Sequence, residues 1–96
     1  VRNIHHLKTW PAPFRDVAGG IKQYEVRKND RDYQVDDLLM LREYDPKTHA
    51  FSGRYVRARV CHKLMAADGD FGLKDGYCVL GLDCINNFHE VTHPLE

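Results

Sequence analysis

The chain has 96 residues, of which 43% are hydrophobic and 29% charged; that length fits one domain with a small core, and the composition excludes a disordered or fibrous class. Fourteen basic residues balance fourteen acidic ones, so no overall field draws the chain onto nucleic acid or a membrane surface, and any anion site has to be a local patch. The longest apolar run, Leu38-Leu39-Met40-Leu41, is far short of the roughly 20 residues that a membrane span needs, and neither a span, a membrane partner nor a secretory signal is expected.

No repeat or linker divides the chain. Residues 1–88 read as one domain and 89–96 as a disordered C-terminal tail, whose terminal Leu95-Glu96 looks like a remnant of cloning ahead of a purification tag. His5 to Lys8 form a short first strand, followed by Thr9 as a helix N-cap and by Pro11 and Pro13 in the first turn, where proline is tolerated. Phe14, Val17 and Ala18 make one apolar helical stripe, stopped by Gly19-Gly20. From Lys22 the period changes to two: Tyr24 and Val26 point one way and Gln23, Glu25 and Arg27 the other, which gives a strand with a buried side and a polar side.

Asn29 to Asp32 is turn chemistry, Leu38 to Tyr44 a second strand, and Asp45-Pro46 opens a loop that ends near Gly53. In the strand from Arg54 to Leu64, an apolar face (Val56, Ala58, Val60) alternates with a basic one (Arg57, Arg59, Lys63, beside Tyr55). Tyr77 to Ile85 is the last strand, with Cys78, Leu80, Leu82 and Cys84 on one side as core filling. Three cysteines without a CxxC pair fit reduced thiols in the cytoplasm better than a disulfide framework. About five strands with one helix in the first connection predict a mainly β (α+β) domain, a small mixed β-barrel with the helix at its mouth.

The run Gly20-Ile21-Lys22-Gln23-Tyr24-Glu25-Val26-Arg27 concentrates charge where helix hands over to strand. Lysine and arginine flanking a glutamate can grip a phosphate or carboxylate, with Glu25 orienting the guanidinium or taking a proton; the same spacing fits a solvated ion pair. Alternation places Lys22 and Glu25 on opposite faces unless Lys22 still belongs to the turn. The basic face of Arg57 and Arg59 is a second candidate for phosphate, or else a solvated strand surface. For His5 and His6, either alternation buries one ring in the core or a histidine beside the helix donates to a phosphate or shuttles a proton; Trp10 suits a core position or a platform for base stacking. His89-Glu90-Val91-Thr92-His93 spells H-E-x-x-H, but that motif binds zinc only on a helix. Two β-branched residues and Pro94 argue against one, so no metal site is assigned and no cofactor is expected.

The run from Gly20 to Arg27 has the G-x-K-x-x-E-x-R form of the ASCH domains, a branch of the PUA-like β-barrel superfamily. His6-Leu7-Lys8-Thr9-Trp10-Pro11, Arg27-Lys28-Asn29-Asp30-Arg31, Leu41-Arg42-Glu43-Tyr44 and Gly76-Tyr77-Cys78-Val79-Leu80-Gly81 extend the match. Over roughly residues 4 to 86 the chain resembles an uncharacterised ASCH-like group of bacteria and phages. The resemblance implies a PUA-like barrel, monomeric, that holds RNA or a nucleotide-like ligand in a cleft beside the helix. It places the signature Lys22, Glu25 and Arg27 there, with His6, Lys8, Trp10 and Arg31 from the flanking motifs. The alternative is a small hydrolase acting on a nucleoside or RNA, with Lys22 as base or nucleophile and Glu25 as its proton partner. One ASCH branch resembles amidohydrolases, but it carries threonine where this chain has Glu25. A second departure is Asp36, where many relatives place glycine before the strand.

Overall fold

The computed structural model of the chain describes residues 2–84 and the backbone of 89–90. Its elements are β1 (Ile4–Thr9), α1 (Pro11–Ala18), β2 (Tyr24–Lys28), β3 (Leu38–Asp45), β4 (Ala50–Met65), a 3-10 turn (Ala66–Asp68), β5 (Tyr77–Cys84) and β6 (His89–Glu90). The strands form one mixed sheet in the order β1-β3-β4-β5-β2, with β6 paired to β4. β1 and β3 run parallel, with Lys8 opposite Arg42, and the other pairs are antiparallel. The sheet curls into a half-barrel with α1 in its first connection, a mainly β domain as the periodicities predict. Among the described residues no helix is long and apolar enough to cross a membrane.

The inner face of the sheet carries the core: Leu7, Leu39, Leu41, Val56, Ala58, Val60, Cys78, Leu80 and Leu82 are all buried, and Phe14 and Val17 of α1 close over them. Burial pushes the Cys78 thiol up, as an apolar setting does. The side chain of Cys84, the expected strand end at Ile85, and residues 91–96 lie outside the described residues. At the head of the expected tail, His89–Glu90 is extended and paired to β4, which is strand and not the helix that H-E-x-x-H requires; His93 lies outside the described residues.

Several local expectations change. Thr9 is the last residue of β1, buried, and Trp10 takes the N-cap position with no side-chain cap. Of the glycine pair, Gly20 adopts the left-handed conformation (φ 76°), while Gly19 stays right-handed. β4 begins at Ala50, so the expected loop shrinks to a tight turn, and Gly53 (φ 93°) lies within the strand beside the register shift between Arg42 and Tyr44, a place that favours glycine. A second bulge between Val60 and His62 inverts the alternation beyond it. Lys63 then sits opposite Leu80 and Met65 opposite Cys78, on the inner face. The Lys63 ammonium donates to the Tyr33 carbonyl at 2.6 Å, so Lys63 leaves the basic outer face predicted for it. Gly81 accommodates this bulge, since a Cβ there would lie 3.2 Å from that of His62.

Asp37 ties the start of β1 to the sheet. Its carboxylate, 2% exposed, accepts hydrogen bonds from the Asn3 and Gln34 backbone N–H groups at 3.0 Å and from His5 Nε2 at 2.8 Å. Burial alone would push this carboxyl up, but the hydrogen bonds from His5, Asn3 and Gln34 together outweigh it and hold Asp37 below its ordinary value. His5, whose ring also meets Tyr33 edge-on at 4.8 Å, is thus the buried member of the histidine pair.

Candidate anion site at the open seam

The half-barrel opens between its two end strands, β1 and β2, and the charged run lies on that seam. α1 determines how it gets there. The Asp16 carbonyl accepts from the N–H groups of both Ile21 and Lys22, at 2.9 and 3.0 Å, so Lys22 remains in the turn while the strand starts at Tyr24. That frees Lys22 from alternation and lets its ammonium reach Glu25 Oε1 at 2.7 Å.

β2 presents its charged side inward. Glu25 pairs with Leu80 and Arg27 with Cys78, so both share the face of two buried β5 residues, and Glu25 is only 3% exposed. Tyr24 and Val26, which alternation offered for the buried side, are about half exposed, at 48% and 47%. The inner surface of β5 decides which side of β2 is inside, and it selects the charges. Glu25 Oε2 accepts from Arg27 Nε at 2.9 Å, so both carboxylate oxygens are engaged by cations.

Arg27 then spans the seam. Its Nη2 donates to the Lys8 carbonyl at 3.0 Å and to Thr9 Oγ1 at 3.3 Å, joining the two end strands through one guanidinium. The planar fork of arginine suits this bridging. Thr9 is absent from the predicted site because its hydroxyl reads as a cap from sequence.

A cleft lies on either side of this bridge. The larger, about 470 Å³, is lined by His6, Leu7, Lys8, Arg27, Lys28, Asp30, Arg31, Tyr33, Arg42 and Phe51: five permanent cations and a histidine against one carboxylate. Among the described residues the side chains of Lys28 and Arg31 make no hydrogen bond or ion pair, whereas Lys8 lies over the Tyr44 ring and Arg42 over Phe51. Burial pushes the Tyr33 phenol up despite the nearby Arg27 and Arg31. The smaller cleft, about 230 Å³, is lined by Lys8, Thr9, Trp10, Pro13, Lys22, Glu25, Val26 and Arg27. Trp10 is 61% exposed there: β1 turns His5, Leu7 and Thr9 inward and leaves His6 and Lys8 outward, and Trp10, the helix N-cap just past the strand, continues in extended backbone (φ −63°, ψ 155°).

The seam therefore gathers His6, Lys8, Trp10, Lys22, Glu25, Arg27 and Arg31. Arg57 and Arg59 line neither cleft. Arg59 is held by Asp36 at 2.6 Å and Asp83 at 3.3 Å, hydrogen bonds that raise its pKa, and Arg57 Nε is buried without a hydrogen-bond partner. Lys28 and Arg42 line the larger cleft although neither was singled out as a ligand residue. Lys28 adjoins the signature in sequence, but Arg42 reaches Lys8 only through the parallel β1–β3 pairing, which no local pattern announces.

Residues 4–82 match the family described as "Domain of unknown function (DUF3850)", and this span includes every residue of both clefts. The chain is also similar to the "Uncharacterized 12.9 kDa protein in GpA 3'region" of Escherichia phage P2, 40% identical over 57 residues, or 59% of this chain and 50% of the relative. The chain thus spans about half the length of that curated relative.

Proposed function

We propose, for a chain that belongs to the DUF3850 family, that the β1–β2 seam is a binding site for RNA or a nucleotide-like ligand, with phosphate held in the larger cleft. The observation that carries this reading is local charge. A chain with fourteen cations and fourteen anions places Lys8, Arg27, Lys28, Arg31 and Arg42 around one cleft, with Asp30 the only carboxylate among its described lining residues. Such a concave basic surface concentrates polyanions without a basic protein around it. Glu25 fixes Arg27. A curled mixed sheet with a helix in its first connection supports kinship with the PUA-like barrels, and the G-x-K-x-x-E-x-R run supports the ASCH branch. The free thiols Cys61 and Cys78 favour a reducing compartment, the cytoplasm, and the protein acts as a monomer in this reading.

The test is salt-dependent binding of short single-stranded RNA. Arg31→Ala removes an exposed cation whose side chain makes no hydrogen bond or ion pair among the described residues, so it should leave the fold intact, weaken binding by a similar factor across sequences, and flatten the slope of log affinity against log salt by about 0.7. An unchanged slope would remove phosphate from the larger cleft.

The hydrolase reading draws on one observation, the contact of Lys22 with Glu25 beside the smaller cleft. A hydrolase would lose turnover on Lys22→Ala while binding survived. Against it, both Glu25 oxygens already accept from cations, which suits an orienting carboxylate better than a proton acceptor.

A further inference from the structure

We infer that the ligand is a single-stranded oligonucleotide lying across the seam, with one unpaired base stacked on Trp10 and its phosphates in the larger cleft, so that neither cleft alone makes the site. This rests on the nucleic-acid reading above and names the form of ligand it takes. The two clefts are continuous in their lining, because Lys8 and Arg27 belong to both. They differ in chemistry: the larger offers cations, while the smaller offers an indole 61% exposed beside Pro13 and Val26. An exposed indole serves neither the core nor an anion, but it provides the flat face that a nucleobase stacks on.

The spacing fits a strand. His6 and Lys8 lie on the outward side of β1 and Trp10 follows just past its end in extended backbone, so at about 3.3 Å per residue His6 and Trp10 lie about 13 Å apart. Successive nucleotides of a stacked strand rise about 3.4 Å, so base and phosphates at the two ends belong to different nucleotides. Duplex is disfavoured, since its bases are already stacked on one another. An acidic peptide satisfies the cations and leaves Trp10 without a role.

Trp10 is the only tryptophan, so its emission reports the smaller cleft directly. The intact protein is titrated with a uridine tetranucleotide, with uridine monophosphate and with a tetraglutamate peptide, following Trp10 fluorescence; dye-labelled tetranucleotide then gives affinities for the Trp10→Ala and Arg31→Ala variants. The tetranucleotide should quench Trp10 and bind at least tenfold more tightly than the monophosphate, and each substitution should weaken it at least severalfold. Equal affinity for tetranucleotide and monophosphate would overturn the strand across the seam while leaving nucleotide binding intact. An equal response to tetraglutamate would reassign the seam to acidic protein segments. Binding of neither nucleotide would overturn the nucleic-acid reading itself, and this inference with it.

Discussion

Glu25→Gln is expected to lower the stability of the domain by about 2–3 kcal/mol, a large share of what a domain of this size has to lose. The carboxylate is 4% exposed at its side chain and lies 2.7 Å from the Lys22 ammonium and 2.9 Å from Arg27 Nε. Removing one partner of a buried ion pair costs about 3–5 kcal/mol, because the other is left without compensation. Here the cations retain 19% and 24% of their side-chain exposure, and water recovers part of that cost. Glutamine keeps the shape and one acceptor oxygen, so the loss reports charge rather than packing. Urea unfolding should show a lower midpoint at an unchanged slope. A loss under about 0.5 kcal/mol would mark the cluster as an ordinary surface pair.

Asp37→Ala is expected to cost about 3 kcal/mol, since it strands two backbone N–H groups and the His5 ring that now share one carboxylate. The acid limb of stability depends on the same group. With the folded pKa held below the unfolded value of about 3.9, the unfolded chain binds the proton more readily. The stabilisation is therefore fully present above that pH and is lost as pH falls from there through the folded value. Urea unfolding at a series of pH values should show the parent's advantage over Asp37→Asn shrinking below about pH 4. An advantage that stayed constant or grew on acidification would contradict the assignment.

The strands and the helix were legible because each buries one face, and burial imposes a period. Cys78, Leu80 and Leu82 on β5 follow from alternation alone, whereas the continuous apolar run Leu38 to Leu41 shows a strand without saying that Leu39 and Leu41 are its buried residues. The shared face of Glu25 and Arg27 follows from alternation too, whereas Lys22 joins them only because the turn at the Asp16 carbonyl takes it out of the alternation. Alternation gives two faces without saying which is inside. For β2 the answer came from pairing with β5, and it turned Glu25 inward and left Val26 in solvent. Bulges defeat the same reasoning: one extra residue near Cys61 moves Lys63 to the other face and dissolves a basic stripe that looks continuous in the sequence. Positions set by long-range pairing were beyond local patterns altogether, as with Arg42 beside Lys8 and the Arg27 bridge to the end of β1. Asp36 shows the opposite case. It stands where the resemblance to ASCH domains leads one to expect glycine, and its φ of 79° is the geometry that makes glycine suitable there.

The most direct test of the account is an NMR titration with short single-stranded RNA, following the backbone amides and the integrity of the RNA together. The account predicts shifts concentrated from Ile21 to Arg31 and along β1 from His6 to Trp10, with the RNA unchanged. Shifts confined to the outer face around Arg57 and Arg59, or none at all, would contradict a nucleic-acid site at the seam.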